Sequence, residues 1–232
     1  MCFNVLNTIS YYSQAVDILE KKIKNIIFDL GGVILNIDYD LLINSFSKIG
    51  LPHFEAYFSQ QEQRSLFDDY EKGMITSDVF RQKLKTQCRP GTTDADIDSA
   101  WNSMLLDLPE QRLSLLISVK STYRTFLLSN TNEIHMTYIY KYLQKTFDIK
   151  DFSDCFEKVY LSYEMKMRKP DIEIFNKVLS ENNLNSAQTL FIDDSAQHIE
   201  SAGKTGIQTY LLDVKRENIN DLFNSGAFRY QF

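Results

Sequence analysis

Acidic side chains stand where short apolar runs stop. The run IIF at residues 26–28 ends in Asp29, and TLFI at 189–192 leads into Asp193 and Asp194. A carboxylate at the carboxyl end of a buried strand faces the ligand crevice of an open parallel sheet. Three carboxylates gathered there repel one another unless they are protonated or neutralised. A hard divalent cation such as Mg²⁺ removes that repulsion, taking carboxylates, water and phosphate oxygens as ligands. A strand-ending Asp also caps the turn that follows, so on residue types alone both readings stand. A third run, FLL at 126–128, ends in Ser129-Asn130-Thr131. Small hydroxyls and an amide at a helix start hold a phosphate, or simply cap the helix. Lys169, followed by Pro170, is a candidate for neutralising that phosphate, although a surface lysine is the commoner case.

These residues need elements to carry them. KNIIFD at 24–29, with Gly31 and Gly32 just beyond, reads as a buried strand meeting a tight loop. Residues 123–128, 158–163, 189–192 and 208–212 are strand-like, with helical patterns near 132–145, from about 171, and near 196–204. Strands alternating with helices predict an α/β fold, a three-layer Rossmann-like core with a parallel sheet. Residues 40–122 carry no strand pattern and read as an inserted all-α helical cap. The breaks fall at Gly50-Leu51-Pro52, Gly73, Arg89-Pro90-Gly91 and Leu108-Pro109. Thr76 and Thr93 are expected N-caps, and Pro109 a first helical residue. The chain thus divides into an N-terminal helical extension (1–22), a core (23–39 and 123–232) and a cap (40–122). The extension's stripe is Val5, Ile9, Tyr12, Val16 and Leu19. Phe54, Tyr57, Phe58, Phe67, Tyr70, Phe80 and Trp101 read as the cap's own core.

Bulk composition narrows the function classes. With 44% hydrophobic and 24% charged residues, general disorder is excluded. The 25 basic against 31 acidic residues give a net charge of −6, which argues against nucleic acid as a partner. Cys2, Cys88 and Cys155 are odd in number and far apart, which suits free thiols in a reducing compartment. The N-terminus lacks a basic segment before a long apolar run, and no stretch approaches the ~18 apolar residues of a membrane span. The expectation is a cytoplasmic protein, with no membrane partner, acting as a monomer or homodimer. Only 8 Gly and 4 Pro occur, so Gly31-Gly32 beside Asp29 stands out.

Taken in order, four segments resemble the signature segments of the haloacid dehalogenase-like hydrolase superfamily. They are FDLGGV (28–33), LLSNTNEIH (127–135), RKPDIEIF (168–175) and LFIDDSAQHIESA (190–202). The resemblance spans roughly residues 23–212 and is nearest the phosphatase-like branch with a D-L-G-x-V first motif and a helical cap. YEKGMITSDVF (70–80) is similar to that branch's cap. The resemblance implies Asp29 as nucleophile, forming an aspartyl-phosphate that water hydrolyses. It implies Mg²⁺ held by Asp29, the backbone carbonyl of Gly31 and Asp194, with Asp193 a second or water-mediated ligand. Ser129 and Lys169 would bind the phosphoryl oxygens, and Asn130 would orient the phosphate through its backbone N–H. Asn132, His135 and Arg168 match the branch without an assigned role.

One position departs from the pattern. Most phosphatases of the superfamily carry a second aspartate two residues after the nucleophile as general acid and base; here that residue is Gly31. Asp38 or Asp40 are nearby carboxylates, read mainly as loop or helix-start residues. The resemblance implies an Mg²⁺-dependent phosphatase acting on a small phosphorylated metabolite. A sugar phosphate is the preferred class, because an anomeric oxygen leaves with less protonation. A non-catalytic phospho-ligand binder and a 2-haloacid dehalogenase are the alternatives, the retained Asp193-Asp194 weighing against the latter.

Overall fold

The four residues of β1 (Asn25–Phe28) are all buried, as a strand covered on both faces must be. The computed structural model describes residues 23–52, 54 and 65–224. The proposed extension 1–22 lies outside them, as do Tyr57 and Phe58. Parallel to β1 run β2 (Arg124–Ser129), β3 (Lys158–Leu161), β4 (Thr189–Asp193) and β5 (Gln208–Leu211). Their order is β3-β2-β1-β4-β5. The chain steps outward from β1 to β3, then crosses back to β4 and β5, so its direction reverses beside β1. That reversal opens a crevice at the carboxyl ends of β1 and β4.

The side chains alternate between the two faces. Ile26, Phe28, Leu127, Leu190 and Ile192 join one core cluster, and Ile27, Phe126, Leu128 and Phe191 the other. Register then fixes the site: Phe28 pairs with both Leu127 and Ile192. Asp29 and Asp193, one residue further on, stand at adjacent strand tips, the Asp29 N–H donating to Ile192 O at 2.9 Å.

The inserted helices are α1 (Tyr39–Lys48), α2 (Ser65–Glu71), α3 (Ser77–Lys85) and α4 (Asp94–Asn102). Asp38 caps α1, its carboxylate accepting from the Asp40 and Leu41 N–H groups, so it is spent on structure. Thr76 caps α3, and Thr93 forms a capping box with Asp96 at α4. Phe46, Phe54, Phe67, Tyr70, Phe80 and Trp101 build a separate aromatic core, as expected.

Helix α5 (Glu110–Lys120) departs from the expected division. Its Leu113, Leu116 and Val119 pack with Ile26 and Phe28 against the sheet, not with the inserted helices. Pro109 takes the N-cap position, not the first helical one. The outgoing segment 36–38 and the returning segment 104–107 run side by side. Asn36 N–H donates to Asp107 O, Leu106 N–H to Asn36 O, and Asp38 N–H to Met104 O, each at 2.9 Å.

Helices α6 (Glu133–Phe147), α8 (Ile172–Glu181), α9 (Ala196–Gly203) and α10 (Ile219–Asn224) complete the core. Between β3 and α8, the strand pattern to 163 stops early and a single turn, α7 (Ser162–Met165), follows. The buried Ser162 Oγ explains the stop: it accepts from Thr131 N–H and donates to Thr131 O, both at 2.9 Å. That pair pins the loop after β2 beside β3. No helix among the described residues is long and apolar enough to cross a membrane.

Candidate active site

Lys169 is wholly buried, and its Nζ lies between Asp29 Oδ1 at 2.6 Å and Asp193 Oδ2 at 2.7 Å. An amine 140 residues from one partner and 24 from the other needs its loop held firmly. Asn130 holds it. Its Oδ1 accepts from Lys169 N–H at 2.9 Å and its Nδ2 donates to Lys169 O at 2.8 Å. The resemblance implies a phosphate contact through the Asn130 backbone N–H; its side chain, for which the sequence offered no role, clamps the lysine backbone. Asp193 is engaged further by Ser195 N–H at 2.8 Å and by His198 Nδ1 at 3.0 Å. Ser129 ends β2, buried at the same crevice, with its Oγ making one long contact of 3.4 Å to Asn130 O.

Electrostatics set the charge states. Burial raises the Asp29 pKa, Lys169 opposes that shift, and Asp193 adds to it. Burial works against a charged Asp193 too, yet Lys169 and His198 hold its pKa below the usual value. Burial also works against Lys169, and its two carboxylate neighbours outweigh it, keeping it protonated. Gross attraction of about 4 kcal/mol per contact, at an effective dielectric of roughly 20, is comparable to the several kcal/mol each buried charge costs. Such a cluster stabilises the fold little and persists for its chemistry.

Asp194 sits partly buried beside both acids, and its pKa is pushed up to about 7 by burial, then by Asp29 and Asp193. Oxygen atoms of Asp29, Asp193 and Asp194 all lie within 4.8 Å of one another. Three carboxylates against one ammonium leave two negative charges, the charge of one Mg²⁺, and the donors are hard oxygens. Gly32 makes the approach feasible: at φ +77° any Cβ would collide with the Asp194 carboxylate. The residues present fit Mg²⁺.

That fit gives a pH dependence. The folded pKa of Asp194 lies above the ordinary 3.8, so the native state holds its proton more tightly than the unfolded chain. Metal-free stability should therefore decline as pH rises from about 4 to about 7. Mg²⁺ competes with that proton, so its affinity should climb about tenfold per pH unit up to about 7 and then level. Calorimetric Mg²⁺ titrations from pH 5.5 to 8 check this, and a flat profile below 7 contradicts it.

Above the cluster lies a cavity of about 100 Å³. Core residues Asp29, Ser129, Asp194 and His198 form its floor; Tyr39, Glu71, Trp101 and Met104 come from the insertion or its connecting segment. Trp101 does double duty, packing in the cap core while its Nε1–H donates to Asn132 Oδ1 at 3.2 Å. Its ring stacks on His135 at 4.9 Å and 4°. Burial pushes the His135 pKa down to about 3, so the neutral ring donates from Nδ1 to Asn102 Oδ1 at 3.0 Å. Arg168 Nη1 reaches Asp68 at 2.7 Å and its Nε lies 3.1 Å from Glu71. The sequence reading named no role for Glu71, Tyr39 or His198. His198 stood inside a quoted segment, five residues after Asp193, a helical spacing that could have flagged it.

The pattern of residues 26–212 matches the family model described as haloacid dehalogenase-like hydrolase. The chain belongs to that family. Among relatives, D-ribitol-5-phosphate phosphatase of Bacteroides thetaiotaomicron is 31% identical over 188 residues, covering 81% of this chain and 91% of the relative. A solved haloacid dehalogenase family enzyme of B. thetaiotaomicron, in complex with magnesium and inorganic phosphate, is 40% identical. It superposes with a TM-score of 0.78, covering 87% of this chain and 100% of that one. A haloacid dehalogenase-like hydrolase from Porphyromonas gingivalis is 29% identical at a TM-score of 0.76, covering 88% and 99%. With its cluster of Asp29, Asp193 and Asp194, this family member is a hydrolase of the phosphatase type, and Mg²⁺ is its cofactor.

Proposed function

We propose that the enzyme hydrolyses the phosphate monoester of a small polyhydroxylated metabolite, a sugar or sugar-alcohol phosphate. The observation that carries the chemistry is the buried Lys169 bridging Asp29 and Asp193 where the sheet reverses direction. The ribitol phosphate relative supports the substrate class. The cavity of about 100 Å³ supports a compact leaving group, being well below the roughly 300–1,000 Å³ of sites for drug-sized ligands.

In this reading Asp29 attacks phosphorus, the bond from phosphorus to the leaving oxygen breaks, and an aspartyl-phosphate forms. Water then attacks that phosphorus and restores the carboxylate. Lys169 and Ser129 neutralise and position the phosphoryl oxygens, where most of the acceleration arises. Asp29, Asp194 and the Gly31 carbonyl would hold Mg²⁺, which would supply charge neutralisation and orientation. Asp193, already engaged by Lys169, Ser195 and His198, would anchor the site. Gly31 provides no acid for the leaving oxygen, so the proposed sugar-alcohol esters, which leave as alkoxides, should turn over slowly.

A panel of phosphorylated metabolites assayed with and without EDTA tests the proposal. Phosphate release should be greatest for sugar and sugar-alcohol phosphates and should vanish with EDTA. Halide release from 2-haloacids that persists in EDTA would replace this reading with the dehalogenase one.

A further inference from the structure

We propose that Glu71, brought over the site by α2 and pinned by Arg168, reads the hydroxyl groups of the leaving group and rejects substrates with a second anionic group. The inference rests on the phosphatase reading and assigns its selectivity to one side chain.

Glu71 is the last residue of α2, with its side chain 9% exposed and lining the cavity that also holds Asp29. A carboxylate so placed is unusual in a cap whose other inward residues are apolar or aromatic, because a buried charge is retained only where something uses it. Its ion pair with Arg168 holds it at the wall, and Asp68 engages the same guanidinium, which is 13% exposed. Among the described residues, Arg168 is the lone arginine or lysine lining this cavity, and two of its nitrogens face these cap carboxylates. A carboxylate or second phosphate on the leaving group would meet Glu71 with no uncommitted cation beside it.

Hydroxyl groups meet the opposite situation. A carboxylate accepts from several donors at once, and His135 adds a second acceptor. Its neutral ring spends the Nδ1–H on Asn102, which leaves Nε2 to accept. Charge-assisted hydrogen bonds of this kind discriminate strongly, because an analogue lacking the hydroxyl forgoes them. The Gly73 turn after α2 fixes the height of Glu71: Lys166 Nζ donates to Gly73 O at 2.5 Å, tying the cap end to the core.

The test compares kcat/KM of the Mg²⁺-loaded wild type, Glu71→Gln, Glu71→Ala and Asp68→Asn on three substrates. These are a pentitol phosphate, 2-phosphoglycolate and p-nitrophenyl phosphate. Ratios between substrates on one preparation are independent of the folded fraction, so a poorly folding variant still gives an answer. Wild type should prefer the pentitol phosphate to 2-phosphoglycolate. Both Glu71 variants should lower the pentitol to p-nitrophenyl ratio at least tenfold, mainly through KM of the pentitol ester. They should also raise the 2-phosphoglycolate to pentitol ratio. Asp68→Asn, which keeps Glu71 but frees Arg168 Nη1, should leave the pentitol to p-nitrophenyl ratio within threefold of wild type while raising the 2-phosphoglycolate to pentitol ratio. Glu71 variants that move all three substrates in parallel, or none, would overturn the assignment. A wild type that hydrolyses none of the three would instead overturn the phosphatase reading beneath it.

Discussion

Asp29→Asn is expected to lower kcat by about 10⁴–10⁶-fold, the range reached when a nucleophile working as part of a unit is removed. Asparagine matches aspartate in shape but cannot form an aspartyl-phosphate that water cleaves. The fold should survive the change. Lys169 keeps its 2.7 Å contact with the fully buried Asp193, and the charge lost is one that burial disfavours. The melting temperature without metal should thus hold or rise slightly, while Mg²⁺ raises it less than in wild type because one ligand is gone. A rapid-quench experiment with labelled substrate separates nucleophilic from merely electrostatic roles: wild type should trap a phosphoprotein, the variant none. Residual activity above about one per cent of wild type would mean that another group attacks phosphorus.

Gly31→Asp is expected to raise kcat on an alkyl phosphate by about 10²-fold, at the lower end of the 10²–10⁴ that a positioned general acid contributes. Space permits the substitution. A Cβ on Gly31 would meet only the Ile37 methyls, at 3.4 and 3.7 Å, and the backbone there does not adopt the positive φ that bars side chains. This contrasts with Gly32, where a side chain would collide with Asp194. The gain falls at the lower end because a fourth carboxylate joins Asp29, Asp193 and Asp194, raising their mutual repulsion until Mg²⁺ binds. The same variant should gain far less on p-nitrophenyl phosphate, whose leaving group departs without a proton. Equal or lower rates on both esters, in a folded variant that still binds Mg²⁺, would mean that proton donation does not limit this enzyme.

Much of the site was legible because local sequence carries it. Asp29, Ser129 and the Asp193-Asp194 pair each follow a short apolar run, and a parallel sheet aligns such endings by its register alone. The strand and helix alternation from 123 to 212 was equally plain, since Ile, Leu and Phe runs with polar helices between them have few other solutions. Residues whose meaning depends on distant partners were not legible. Asn130 reads as a phosphate group until the loop bearing Lys169, 39 residues on, folds against it. Lys169 reads as a surface lysine until Asp29 and Asp193 enclose it. Helix α5 follows the four described cap helices across a Leu108-Pro109 break like those between them, so its packing on the sheet could not be told from its own apolar residues.

The order of the four segments and their strand context determined the family and with it the metal, and through that resemblance they point to Asp29 as the nucleophile. The cap's contribution was decided only in three dimensions. Glu71, Trp101 and Arg168 are ordinary residues for their helices and loops, and become walls of one cavity because α2 and α4 are carried back over the sheet. Gly31 belongs to both accounts. Its identity removes the expected acid, and the open space beside it leaves room for that acid's return.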